Sequence, residues 1–301
     1  MRNINIQEKQ EITVGIPTYY GGVSLIDTVT HLCKSKGIKK FKIIVTVDGK
    51  KLDKSIRDRL TELNVQVLEN KSRLGQFGRI KQLVNKCNTA YFAIVQDDVR
   101  VDENMLSEIL STFKKNKRVT MVAPLIKSAL PLNFFQKILN TGVNINYNIA
   151  ENWNNADNYL LSSGRSLAFK TTFIKKFNFP RNVVNSDAYL YFENKRKNGK
   201  FVFVNSAIAY NKLVSNLKDH LKQSYRFQGS KLELTPYFSN INQEYIYPKK
   251  VALSIFLYEL LNNPLYTLLY LIIFIQTRVI KSNIGKLINT GFWNTAEDTK
   301  K

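Results

Sequence analysis

Along the first 126 residues, short apolar runs alternate with stretches whose apolar positions fall at helical spacing. Residues 11–20 (EITVGIPTYY) are an apolar run that ends at Pro17, the pattern of a buried strand feeding a loop. Leu25, Ile26, Val29, Leu32 and Cys33 then fall at helical spacing, with Gly37 as the stop. KIIVTVDGK (42–50) is a second strand, rich in β-branched residues and closed by Asp48-Gly49. A polar helix follows over 54–63, and a third strand over 65–70 (VQVLEN). The next helix, over 76–87, uses Phe77, Ile80, Leu83, Val84 and Cys87 as its apolar positions. YFAIVQDD (91–98) is a fourth strand that runs straight into two carboxylates. Met105, Leu106, Ile109, Leu110 and Phe113 mark a further helix, and VTMVAPLI (119–126) a further strand.

Four strand–helix alternations in about 125 residues predict an α/β domain with a Rossmann-like, mostly parallel sheet and helices on both faces. Ligands of such sheets bind beyond the C-terminal ends of the strands. The polar residues at those ends are Thr18, Tyr19, Asp48, Asn70 with Arg73, and Asp97 with Asp98. They are expected to converge on one edge of the sheet.

Between 130 and 160 the periodicity weakens, and the Asn-rich stretch reads as a loop. Order returns at LLSSGRSLAFK (160–170), followed by a helix over 172–177. Residues 182–210 read as loop, amphipathic helix, turn at Gly199 and buried strand, and 217–228 as a helix with mixed basic and apolar faces. The stretch 251–280 differs from all of these, carrying no charge between Glu259 and Arg278. Its uncharged length approaches the minimum for a spanning helix, but Asn262-Asn263-Pro264 interrupts it. Lys249, Lys250, Arg278, Lys281 and Lys286 flank it, and Tyr258, Tyr266 and Tyr270 lie within it. Basic flanks and interior tyrosines predict a helical tail that associates with a membrane surface, set against a soluble helical pair buried on the main domain.

Composition sharpens this picture in three ways. A formal charge of +22, from 45 Lys plus Arg against 23 Asp plus Glu, favours phosphate-rich partners: nucleotide diphosphates, anionic headgroups or nucleic acid. An abundance of Lys, Asn and Ile offers the plainer account of a general compositional bias. Two cysteines, Cys33 and Cys87, in helix-like apolar patterns indicate core thiols and a reducing compartment rather than a disulfide framework. Two histidines and two cysteines make a zinc site of those residues alone improbable. The first residues, MRNINIQEKQEI, have no apolar signal region, so the N-terminal domain is expected in the cytoplasm.

The chemistry-bearing residues each have a plain alternative. Gln96-Asp97-Asp98 puts adjacent carboxylates at a strand end, which a divalent cation would compensate and which turn capping would equally explain. Asp48 can accept from a ribose hydroxyl or a base N–H, or simply open the Asp-Gly turn. Asp187 can act as a base or cap the helix that follows Asn185-Ser186. Arg165 can contact a phosphate or hold a loop. His31, His220, Trp153 and Trp293 are read as structural or solvated first.

Taken in order, these segments resemble family 2 glycosyltransferases of the GT-A fold, over about residues 11–230. TVGIPTYYGG is similar to the family's nucleotide loop, VTVDGK to its base-binding aspartate, SRLGQFGRIKQ (72–82) to its diphosphate loop, and QDD to its Asp-X-Asp-type motif. The resemblance implies nucleotide contacts from Pro17, Thr18, Tyr19, Asp48, Arg73 and Asp97, and a Mg²⁺ or Mn²⁺ ligand in Asp98. Gln96 stands where the family's first carboxylate would. LLSSGRSLAFK resembles the acceptor-side segment and implies roles for Ser163 and Gly164. NSDAYLYF resembles the segment of the catalytic base and implies Asp187, with Ser186 where the family often has Glu. DHLKQSYRFQ resembles a Gln-x-x-Arg helix and implies Gln223 and Arg226 near the acceptor.

The implied activity is inverting transfer from a nucleoside-diphosphate sugar to a hydroxyl acceptor. Asp187 would take the acceptor proton, and a metal on Asp98, with Arg73, would support the leaving group. The domain is expected over 10–230, with a nucleotide half to about 126 and an acceptor half from 127. The tail, 231–301, would hold the protein at the cytoplasmic face of a membrane, where a lipid-linked acceptor or polysaccharide assembly would suit it. A sugar-phosphate nucleotidyltransferase fits less well, because the Pro-Thr-Tyr-Tyr-Gly-Gly loop has no Lys or Arg to hold a triphosphate. A nucleic-acid-binding protein fits less well because the lysines are spread evenly and no such motif occurs. A transferase that has lost its chemistry is the third alternative, raised by Gln96 and Ser186.

Overall fold

A computed structural model describes residues 10–130, 133–181 and 183–279. In chain order its elements are β1 (Ile12–Thr18), α1 (Val23–Cys33), β2 (Lys42–Val47), α2 (Lys54–Glu62), β3 (Gln66–Glu69), α3 (Gly75–Lys86), β4 (Tyr91–Val95), β5 (Val99–Val101), α4 (Met105–Lys115) and β6 (Val119–Ser128). There follow α5 (Phe134–Glu151), β7 (Ser166–Lys170), α6 (Thr171–Ile174), α7 (Ser186–Arg196), β8 (Lys200–Asn211), α8 (Leu217–Leu234), α9 (Ile241–Glu244), α10 (Lys249–Asn262) and α11 (Pro264–Val279).

Eight strands form one sheet in the order β3-β2-β1-β4-β7-β6-β8-β5. The first four pair in parallel, as the alternating pattern predicts. The sheet as a whole is mixed, because β7 runs antiparallel between β4 and β6, and β5 antiparallel to β8. The other six strands run in one direction, so the sheet is mostly parallel as expected, and the reversal at β7 has a topological reason. The chain enters β7 from the Ser163-Gly164 turn, on the side where β4 ends, so it must run back against β4.

The two-residue period is visible in β4: Ala93 and Val95 join the core shared with α1 and α4, while Phe92 and Ile94 join the one shared with α3 and α7. Helices therefore cover both faces. In α7, Tyr189 through Phe192 are all buried, so this helix is enclosed rather than amphipathic.

Two expectations are corrected. The Asn-rich segment is not a loop but contains the 18-residue α5. Asn133 and Gln136 form a reciprocal capping box at its start, and Ile138, Leu139, Gly142, Ile145 and Ile149 make its buried face, while Asn144 and Asn146 point to solvent. Cys33 is exposed at the end of α1, and only Cys87 behaves as a core thiol. The break read at Asn262-Asn263-Pro264 falls where α10 ends and α11 begins. No helix among the described residues is long and apolar enough to cross a membrane. Residues 1–9, Lys281, Lys286 and Trp293 lie outside the described set, as does the side chain of Arg226, whose backbone is in α8.

Candidate active site

The C-terminal ends of β2, β1 and β4 lie side by side, so the residues following them share one edge. Thr18, the last residue of β1, donates its hydroxyl to Asp97 after β4 and accepts from the Gly21 amide at 3.0 Å. That hydroxyl staples the Tyr19-Tyr20 loop to the carboxylate pair. Asp97 is buried and Asp98 is partly open.

Asp48, at the end of β2, is buried and accepts four contacts. The amides of Leu74 and Gly75 reach it at 2.8 and 3.0 Å, Arg79 Nε at 2.7 Å, and Arg73 Nε lies 3.9 Å away. Arg79 is 2% exposed and also bonds Gln82 Oε1 at 3.0 Å and the Ser72 carbonyl. Gln82 in turn receives Thr46 Oγ1 and donates to Asn70. Asp48 is therefore the hub that fixes the 72–75 segment and the start of α3. The sequence reading passed over Arg79 and Gln82. Arginine two residues after Phe77 and one before Ile80, inside an apolar face, was the available signal.

Arg73 is held over the Tyr19 ring, 4.3 Å from its centre, and Lys50 lies 5.5 Å from the same ring. Two cations and an exposed aromatic thus crown the edge between Asp48 and Asp97.

Across the cleft, β7 and α7 bring the second half of the site. The Gln96 amide donates to the Arg165 carbonyl at 3.0 Å, tying the carboxylate loop to the turn before β7. Asp187 is one residue inside α7 rather than at its cap, which is Asn185. Its Oδ2 accepts from the Gly164 amide at 3.0 Å and its Oδ1 from Ala188 at 3.0 Å; Ser162 Oγ bonds its carbonyl. A Cβ on Gly164 would sit 3.1 Å from Asp187 Oδ2 and 3.3 Å from its Cβ, so glycine lets the turn close on the carboxylate. These two amides fix the orientation of the carboxylate at the start of α7.

Arg165 joins the two halves. Burial pushes its guanidinium below the ordinary arginine value, and the charges of Asp98 and then Asp187 hold it up. Both carboxylates thus act electrostatically on one cation. On the first side, contacts run from Asp48 through Arg73 to Tyr19, and from the adjoining Thr18 to Asp97.

A further carboxylate supports the loop before Asp187. Glu233 of α8 is buried and accepts from the amides of Val184 and Asn185 and from the Asn185 side chain. Burial raises its pKa, these hydrogen bonds lower it, and Asp187 adds a smaller upward push. Gln223, Arg226, Ser230 and Glu233 are spaced as one helical stripe. Ending the predicted helix at 228, short of α8's end at Leu234, concealed the stripe. Gln223 is half-buried on the same helix.

The family model described as glycosyl transferase family 2 matches residues 13–175, more than half of the chain. Among solved structures, the mannosyltransferase PcManGT from Pyrobaculum calidifontis, in complex with GDP-Man and Mn²⁺, is 13% identical with a TM-score of 0.58, over 95% of this chain and 80% of that one. TarS 1–349 of S. aureus, in complex with UDP, is 14% identical with a TM-score of 0.51, over 77% and 74%. No curated protein sequence matches the chain. At such identities the structural likeness speaks for the GT-A fold, while the family match spans the edge formed by β1, β2 and β4 and the turn before β7: the chain belongs to glycosyl transferase family 2.

Proposed function

We propose that the protein transfers a sugar from a nucleoside-diphosphate donor to a hydroxyl acceptor by in-line displacement with inversion. The observation that carries this reading is that one turn binds both carboxylate segments: the Arg165 carbonyl accepts from the Gln96 amide, and the Gly164 amide donates to Asp187. Asp187 takes the proton from the attacking hydroxyl; its anion is oriented by Gly164 and Ala188 and keeps lone pairs for the acceptor. A base so placed contributes roughly 10²–10⁴-fold.

On the donor side, Tyr19 offers a face for the base, while Arg73 and Lys50 meet the diphosphate. The donor set suits Mg²⁺ or Mn²⁺, which take one or two protein carboxylates and fill the remaining positions with phosphate oxygens and water. Among the described residues no group of three His, Cys, Asp or Glu gathers, so Asp98 would hold the ion together with the donor's own oxygens. Bound there, the ion would act as a Lewis acid toward the departing diphosphate. Arg165 offsets the repulsion between Asp98 and Asp187 before substrates arrive. Ser163, Gly164, Gln223 and Arg226 form the acceptor side, and a lipid-linked saccharide is the acceptor class we assign, for cell-surface polysaccharide assembly.

Thermal shift with a panel of nucleoside diphosphates, with and without Mn²⁺, tests the donor side. Stabilisation by a diphosphate should require the ion and vanish in Asp98→Asn. A diphosphate that stabilises wild type and Asp98→Asn equally, without metal, would overturn the assignment.

A further inference from the structure

Helices α10 and α11 leave a broad apolar surface uncovered. Leu253, Leu257, Leu261, Leu265, Leu268 and Ile272 are 48–84% exposed. On α11 the exposed apolar positions, continued by Ile275 and Val279, recur every three or four residues, so they form one stripe. The opposite side of α11 is the one that packs. Ile273 is buried with Ile138 and Leu139 of α5, and Tyr270 lies against Gly142, where a Cβ would be 2.0 Å from the ring. α10 has no buried residue at all. A contiguous apolar surface of this kind on a folded domain marks a place where something apolar docks.

Charge decides what that is. Between 251 and 277 the only charged side chain is Glu259, which is half-buried. Lys249 and Lys250 are exposed at the start of α10, and Arg278, exposed at the end of α11, lies 4.9 Å from the Phe274 ring centre. An uncharged apolar strip bounded by cations, on a chain of net charge +22, complements hydrocarbon bordered by anionic headgroups. The helices are 14 and 16 residues long. At ~1.5 Å per residue neither reaches across a hydrocarbon core of ~30 Å. We propose that this face docks on an anionic bilayer, with α10 and α11 lying in the interface of one leaflet.

The packed side of α11 is tied to the helix that braces the Asp187 loop. Gln228 of α8 donates to the Thr277 carbonyl of α11 at 2.8 Å, and Glu233, on the same helix, holds the loop that carries Asp187.

Flotation of the full chain with phosphatidylcholine vesicles, with and without 30% phosphatidylserine, tests the proposal. It needs no sugar, nucleotide or metal, so it stands or falls apart from the transferase reading. The chain should float with the anionic vesicles and lose binding in high salt. Lys249→Gln and Lys250→Gln should each weaken partitioning roughly five-fold. Leu265→Ser, Leu268→Ser and Ile272→Ser together should weaken it roughly a hundred-fold. These side chains are exposed, so the melting temperature should hold, which separates lost docking from lost folding. Absence of the chain from anionic vesicles, or binding unchanged in the triple variant, overturns the proposal. So does a stable dimer that the triple variant splits while vesicles bind neither form, because the face would then belong to a second copy.

Discussion

Truncating Asp48 to alanine separates a brace from a ligand contact. In the folded protein Arg79, 2% exposed, has Asp48 as its anionic partner at 2.7 Å, and the Leu74 and Gly75 amides end on the same carboxylate. Removing one member of a buried ion pair costs roughly 3–5 kcal/mol, because the other charge is left without compensation. Arg79 keeps Gln82 and the Ser72 carbonyl, which places the expected loss at the lower end, about 3 kcal/mol. For a chain of this size that lowers the melting temperature by roughly 6–12 °C. Differential scanning calorimetry of wild type, Asp48→Ala, Arg79→Met and the double variant would measure it. The double variant should be more stable than the sum of the two single losses predicts, since it buries no unpaired charge. A melting temperature within 2 °C of wild type for Asp48→Ala would refute the reasoning and return Asp48 to direct nucleotide contact alone.

Other consequences follow from the second half of the site. Gly164→Ala places a methyl 3.1 Å from Asp187 Oδ2; kcat should fall at least ten-fold with KM for the donor nearly unchanged, and steady-state kinetics would show the split. Glu233→Ala strips the acceptor from the Val184 and Asn185 amides and from the Asn185 side chain, which should cost roughly 3 kcal/mol in urea unfolding. His220 is half-buried against Phe135, and burial holds its pKa below the ordinary 6.5. The unfolded chain then takes up the proton first, so this contribution to stability is present above pH 6.5 and lost as pH falls through the lower folded value. Melting curves should fall less steeply between pH 7.5 and 5.5 in His220→Gln than in wild type, and parallel curves would count against the burial argument.

The half built on β1 to β4 was legible because its signals are local. A parallel strand buried on both faces reads as a continuous apolar run, and the residues that end β1, β2 and β4 reach one edge whatever the loops do. That much was enough to bring Thr18, Asp48 and Asp97 together on paper. The half from α5 onward was less legible because its organisation comes from contacts distant in the chain. Nothing near Glu233 announces that it will hold the Val184-Asn185 amides 48 residues upstream. Arg165 becomes significant only once Asp98 and Asp187 flank it. Helix α5 was hidden by its asparagines, poor helix formers that are tolerated where they face solvent while tertiary burial of Ile138, Leu139 and Ile145 stabilises the helix. Antiparallel β7 followed from the direction in which the chain leaves the cleft, which periodicity does not encode.

The central claim is that Asp187 removes the acceptor proton in a nucleotide-sugar transfer. Release of nucleoside diphosphate from a panel of donor sugars should be followed with Mn²⁺ and a membrane-lipid extract as the acceptor source, comparing wild type with Asp187→Asn. Acceptor-dependent release by wild type, lowered roughly 10²–10⁴-fold in a variant that still binds the diphosphate with unchanged affinity, is the predicted result. Equal turnover by the two proteins would contradict it.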